Sequence, residues 1–338
     1  MSIWMRYWCI RKKLSSGKEA TLPDQGNANT ISGIVLKGAG GFYHVLITKL
    51  ENYGNKVLVA KVRGRLRRET DIIYSGDRVL LEPVADGETL AGREMVKAMI
   101  VDILPRRNHL LRPKVANISQ AVLVLAAQNP RPDWLLLDRM LVMVLSMEVN
   151  PLICFNKWDL PDASEQSEIN RELAAYETAG FLVIRASAKK TEGIVELSSC
   201  LQKQISVFAG PSGVGKSSLI NALSPELGLL TGDISRRLGR GKHTTRQVEI
   251  LLMDQNAMVA DTPGFSLLDL PDDLTEADLP GLYPDFSAFG PCRFDGCLHH
   301  KEPDCAIKKA ESEQLIGSGR YQRYLALLTE IKERKIKY

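Results

Sequence analysis

The sequence has no run of about 18 apolar residues, the length a helix needs to cross a bilayer core, so no membrane span is expected. Its first ten residues, MSIWMRYWCI, are cut by Arg6 and lack both an apolar core and a small-residue cleavage site, so they do not read as a signal peptide. Neither sign of charge dominates: the net charge is only +4. Six cysteines in 338 residues are too few and too unevenly placed for a disulfide scaffold. These absences point to a cytoplasmic chain. With 44% hydrophobic and 25% charged residues, it should be an ordinary globular protein of two or three domains. Residues 1–30 read as a loose leader with little periodicity.

Residues 31–105 are patterned as five short strands: Ile34–Leu36, Tyr43–Ile47, Val57–Val62, Arg78–Val84 and Met95–Ile103. Such spacing predicts a small β-barrel, with an OB-fold the leading choice. Residues 61–68 hold five basic residues in eight, and alternation puts Lys61, Arg63, Arg65 and Arg67 on one face. Pro105–Pro113 reads as a basic linker. From there to about residue 275, strands alternate with helices, which predicts an α/β domain with a mostly parallel sheet over 106–275. Residues 276–338 form a third unit, with clustered Cys and His and then a helical stretch, 307–336, carrying a basic tail. The basic runs at 61–68, 106–114 and 320–338, with Tyr321, Tyr324 and Tyr338, suggest contact with nucleic acid through phosphate attraction and base stacking.

Chemistry concentrates in the middle unit. The stretch Gly210-Pro211-Ser212-Gly213-Val214-Gly215-Lys216-Ser217, followed by Ser218, is a phosphate loop behind an apolar strand. Its glycines let backbone N–H groups turn toward phosphate oxygens, Lys216 reaches the β- and γ-phosphates, and Ser217 suits Mg²⁺. Asn156-Lys157-Trp158-Asp159 specifies the base. The Asp159 carboxylate matches the paired donors of guanine, which adenine lacks. Asn156 would tie this loop to the phosphate loop, and the Lys157 stem would cover one face of the base. Ser187-Ala188-Lys189 follows one strand–helix unit later, with the Ala188 N–H suited to the guanine carbonyl. Asp261-Thr262-Pro263-Gly264 supplies Asp261 for water-mediated Mg²⁺ and the Gly264 N–H for the γ-phosphate. The cofactor is therefore GTP or GDP with Mg²⁺.

The succession of these motifs is rotated. An ordinary GTPase begins with the phosphate loop and ends with Ser-Ala-Lys, whereas here the guanine loops come first, which marks a circular permutation. No Gln follows Gly264 to orient the attacking water. The segment 239–246 reads as the first switch loop. Thr244 or Thr245 would complete the Mg²⁺ shell, and His243 is the candidate for positioning water. Arg240 and Arg246 suit either transition-state charge or nucleic acid.

Cys292, Cys297 and Cys305 lie within fourteen residues, beside His299 and His300. Three thiolates and an imidazole predict one closed, structural zinc site, with either histidine able to complete it. Cys154 and Cys200 sit on apolar segments and read as core.

Rotated order, basic barrel in front and Cys/His cluster behind resemble the ribosome small-subunit-dependent GTPase A family of bacteria. The marks are residues 210–221, Lys242-His243-Thr244-Thr245, and Cys292-x4-Cys297-x-His299-x5-Cys305. The resemblance spans about residues 31–338. It implies an OB-fold, a permuted GTPase domain and a zinc domain with His299 as the imidazole ligand. It also implies late maturation of the small ribosomal subunit, rRNA contact and hydrolysis stimulated by that subunit. The leader and Lys242, where Arg is expected, depart from it. A monomer is expected. Two other readings stand beside this one: an RNA-binding adaptor with negligible turnover, and a permuted GTPase serving the large subunit or a membrane-linked assembly.

Overall fold

Five strands, β1 (Ile31–Ala39), β2 (Phe42–Ile47), β3 (Val57–Val62), β4 (Arg78–Leu90) and β5 (Glu94–Ile103), close into a barrel in the order β1-β2-β3-β5-β4. In the computed structural model, residues 30–47, 56–64, 72–90, 94–111, 114–223, 248–253, 257–261 and 270–336 are described. The leader residues 1–29, residues 65–68 of the basic run, and Tyr338 lie outside them. Strict alternation fills the barrel, with Val45, Ile47, Leu58, Ala60, Val79, Leu81, Ala98 and Ile100 pointing inward. Gly33 is needed where β1 crosses β2, because a Cβ there would stand 2.5 Å from Val45 Cγ1. The outer side chains Ile34, Leu36 and Leu46 do not face solvent; they join the core of the neighbouring α/β unit.

The presumed linker is ordered. Two strands, β6 (His109–Leu111) and β7 (Lys114–Ala116), pair as a hairpin and bury Leu110 and Val115. Arg106 does not serve as a free cation. Its guanidinium grips buried Asp77 at 2.7 and 2.9 Å and stacks 4.1 Å over the Tyr74 ring. Asn117 then donates to the Gly76 carbonyl at 2.9 Å, fastening barrel to sheet.

Beyond the hairpin a six-stranded sheet runs in the order β10-β9-β8-β11-β13-β12. Its strands are β8 (Gln120–Ala126), β9 (Asn150–Asn156), β10 (Leu182–Arg185), β11 (Ile205–Ala209), β12 (Glu249–Leu252) and β13 (Met258–Asp261). All pairs are parallel except β12 on β13. Every residue of β8 and β11 is buried, which explains their near-continuous apolar sequences. Helices α1 (Trp134–Ser146), α2 (Ala163–Thr178), α3 (Ile194–Leu201) and α4 (Lys216–Leu223) cover the sheet. Asp133 caps α1 by accepting from the Leu136 N–H, and Asp162 with Glu165 forms a capping box on α2.

The last unit holds two 3₁₀ turns, Leu279–Leu282 and Phe286–Phe289, then α5 (Ala306–Ser312) and α6 (Ser318–Ile336). The single helix expected over 307–336 is broken at 313–317, where Gln314 takes a left-handed φ of 59° and Gly317 follows. Tyr321 and Tyr324 are not stacking surfaces. They are buried with Tyr283, Phe286 and Leu327 in a core that also takes Val142 from α1. The basic tail is likewise partly internal. Arg320 joins Asp138 of α1 to Asp285, Arg323 joins Asp138 to Glu172, and Arg139 meets Glu330. Among the described residues no helix is long and apolar enough to cross a membrane.

Candidate functional site

Strand β9 ends at Asn156, and the chain turns there because Lys157 adopts a left-handed φ of 59°. Strand β11 ends at Ala209 and enters the loop 210–215, which closes onto α4. Parallel pairing through β8 brings these two strand ends to the same edge of the sheet. Gly210 and Gly215 are required here. At φ 148° and 91°, a Cβ would stand 2.1 Å from the Val124 carbonyl and 2.3 Å from Asn156 Nδ2, respectively.

Asn156 is the hub. Its Nδ2 donates to the Val214 carbonyl at 2.8 Å, and its Oδ1 accepts from the Ala188 N–H at 3.2 Å. One buried side chain thus ties the Asn-Lys-Trp-Asp loop to the phosphate loop and to the Ser-Ala-Lys loop, although these lie 58 and 32 residues away. Ser187 Oγ donates to Asp159 Oδ1 at 2.6 Å and accepts from the Lys190 N–H at 3.1 Å. That hydroxyl holds the Asp159 carboxyl below its ordinary range, so the acceptor form prevails at neutral pH. Lys157 donates from Nζ to the Asn129 carbonyl. Lys189 is exposed.

The phosphate loop is a cradle with its cation built in. Lys216 Nζ lies 2.7 and 2.9 Å from the Gly210 and Pro211 carbonyls, and burial lowers its pKa. Ser212, Gly213, Ser217 and Ser218 face outward around it, while Val214 is buried beneath. β13 runs beside β11 and brings the backbone of Asp261 to the same edge. His243, Thr244, Thr245 and Gly264 lie outside the described residues. The sequence motifs missed Asn129 and Gln128, which stand beside the guanine loop. An Asn-Pro dipeptide straight after a buried strand was the available signal.

A second constellation sits in the C-terminal unit. The ligand atoms of Cys292, Cys297, His299 and Cys305 all lie within 4.8 Å of one another. A tetrahedral zinc with Zn–S of about 2.3 Å and Zn–N of about 2.0–2.1 Å sets its ligands roughly 3.5–3.8 Å apart. Cys292 and Cys305 sulfurs are 3.8 Å apart, and each is 3.4 Å from His299 Nδ1. The donor set fits. His299, not His300, turns inward, and it does so through a left-handed φ of 53° rather than by extended alternation. Burial lowers the His299 pKa, which favours the neutral, metal-binding imidazole. The His299 carbonyl accepts from Tyr321 at 2.6 Å and the Leu298 carbonyl from Tyr324 at 2.7 Å, so α6 braces the ligand loop. Partial burial pushes the Glu302 carboxyl up, but backbone N–H donors, including His300 and Leu298, outweigh it and hold it at about 2.

A rotated α/β sheet with a glycine cradle, a guanine-type Asn-Lys-Trp-Asp loop, a barrel and a Cys₃His cluster defines a circularly permuted GTPase. The family model described as RsgA GTPase matches residues 103–271. Small ribosomal subunit biogenesis GTPase RsgA of Geobacillus thermodenitrificans is 43% identical over 307 residues, covering 90% of this chain and 99% of that one. The protein of that name from Bacillus subtilis is 40% identical over 308 residues, with the same coverage. The crystal structure of YjeQ from Thermotoga maritima superposes with a TM-score of 0.72 at 30% identity, over 89% of this chain and 98% of that one. YloQ, described as a circularly permuted GTPase, gives 0.74 at 33%, over 93% and 99%. The chain belongs to the RsgA GTPase family, and it is a GTP hydrolase. Family membership implies guanine nucleotide with Mg²⁺ as the ligand.

Proposed function

We propose that this GTPase binds the immature small ribosomal subunit, assists its late maturation and is stimulated by it. The names of its relatives, small ribosomal subunit biogenesis GTPases, support this reading. The observation that carries the nucleotide chemistry is the Asn156 hub, which gathers scrambled motifs around one pocket. In it, Asp159 accepts from guanine, the Ala188 N–H would exchange its bond to Asn156 Oδ1 for one to the base carbonyl, and the Lys157 stem walls the ring. Ser187 and Lys189 flank this base loop. The N–H groups of Gly210–Ser218 and the Lys216 ammonium hold the phosphates. Ser217, Asp261 and Thr244 or Thr245 would hold Mg²⁺, which supplies charge neutralisation at the β- and γ-phosphates. The Gly264 N–H would meet the γ-phosphate, and His243 orients the water. Cys292, Cys297, His299 and Cys305 hold one zinc that is structural, having no open position. The chain works as a cytoplasmic monomer in units 31–105, 106–275 and 276–338, with 1–30 as a leader, and touches rRNA through its basic surfaces. Lys61 stacked 4.8 Å over the Phe42 ring on the barrel wall is one such surface.

Co-sedimentation with separated small and large subunits, combined with GTP turnover in their presence, tests this. Binding to the small subunit with stimulated phosphate release is expected. Equal binding to both subunits, or unstimulated turnover, overturns it.

A further inference from the structure

The turn after β8 touches both halves of the nucleotide pocket, although no motif includes it. Ala127, the first residue past β8, donates its N–H to the Asn156 carbonyl at 2.9 Å, so the turn begins level with the guanine loop. Asn129 then adopts a left-handed φ of 52°. Its carbonyl accepts from the Lys157 ammonium, at the end of the stem assigned above to the base face. Pro130 stands beside the phosphate loop, its Cδ 4.0 Å from where a Cβ on Gly213 would lie. Gln128 fastens the turn from behind. Its Nε2 donates to both carboxylate oxygens of Glu165, at 3.2 and 3.0 Å, and Glu165 is itself fixed by the capping box of α2.

This geometry decides where Lys157 points. A lysine stem has high rotamer entropy, so a wall made from it is firm only if its end is held. The Asn129 carbonyl is such a hold, and its direction depends on the left-handed backbone. Asparagine accepts that conformation far better than alanine or a β-branched residue. We propose that Asn129 is a positioning residue for guanine nucleotide: its carbonyl anchors Lys157 and so preforms one wall of the base pocket. This rests on the reading that Lys157 covers the base. Because the wall contacts the base equally in ground and transition states, losing it raises KM and leaves kcat in place.

The test is a cycle of Asn129→Ala, Asn129→Gly, Lys157→Ala and the Asn129→Ala/Lys157→Ala double variant. It is read by titration with a fluorescent GDP analogue and by steady-state GTP hydrolysis. Asn129→Ala should weaken binding roughly fivefold, the equivalent of losing a left-handed turn. Its KM should rise and its kcat should hold. Asn129→Gly, which accepts the same backbone, should restore affinity. The double variant should bind no worse than Lys157→Ala alone. If Lys157→Ala weakens binding but Asn129→Ala does not, or if the two losses add, the anchoring role is overturned and the base-wall reading survives. If Lys157→Ala itself binds normally, the base-wall reading falls and takes this proposal with it.

Discussion

Arg320 Nη1 lies 2.7 Å from Asp138 Oδ1, and both side chains are almost completely buried between α6 and α1. The Arg320 guanidinium also meets Asp285 at 2.7 and 2.9 Å and lies 4.6 Å over the Tyr283 ring. Two acids 147 residues apart in sequence, by the numbering of Asp138 and Asp285, are thus joined by one cation from the C-terminal helix. The C-terminal unit therefore shares its core and its ion pairs with the α/β unit rather than hanging from its end.

Removing Arg320 leaves buried Asp138 with Arg323 as its remaining cation and takes both guanidinium bonds from Asp285. Arg320→Ala should cost about 3–5 kcal/mol, measured by urea unfolding, whereas Arg320→Met should cost less because it fills the volume. Nucleotide affinity of the folded fraction should change little, since neither residue reaches the pocket.

Arg139 grips Glu330 with two 2.6 Å bonds and Arg334 adds a third, which together lower the Glu330 pKa. A depressed carboxyl stabilises the fold above its unfolded value and loses that contribution as pH falls through the folded one. The stability gap between wild type and Glu330→Gln should be open at pH 7 and shrink under acid, followed by urea midpoints across that range.

Gly215→Ala places a Cβ against Asn156 Nδ2 at a φ of 91°. GDP affinity should fall by at least about 100-fold, since strain and a lost buried hydrogen bond act together. Isothermal titration reads this, and the thermal midpoint measured without nucleotide should fall as well, because the strain and the lost bond are already present in the free protein.

Asp159→Asn keeps the Ser187 contact but reverses the outward acceptor. Guanine affinity should drop about 100-fold or more, and xanthine nucleotides should gain on guanine ones, because a charged acceptor for two donors is lost. Competition titration with the two diphosphates measures the ratio.

Cys297→Ser should lower bound zinc from one per chain toward none and melt the C-terminal unit first, because metal affinity there is folding energy. Zinc analysis with thermal scanning checks both. Tyr324→Phe, which removes only the brace on Leu298, should retain zinc and lose about 1 kcal/mol.

Much of the architecture follows from period and motif. The barrel strands, the buried strand β8 and the α/β alternation show in apolar spacing. The scrambled motif order reveals the permutation because each motif needs a fixed loop chemistry whatever its place in the chain. The errors share a cause. Arg106, Arg320 and Arg323 look like surface charges because their acid partners lie far along the chain. Tyr321 and Tyr324 look like stacking residues, yet with Leu327, Leu328 and Ile331 they keep the three- and four-residue spacing of a buried helix face. The hairpin at 109–116 is hidden by its shortness and its charge. The Asn129 turn carries no motif at all, since its contribution comes through a backbone carbonyl.

The sheet order puts strands β8 to β10, with both guanine loops, on one side of the seam between β8 and β11, and the phosphate loop with β13 and β12 on the other. A ribosome making this protein delivers the first side well before the second. The base-reading loops are therefore made before the phosphate loop that Asn156 holds against them, so the last piece to join the nucleotide edge is β13 with Asp261.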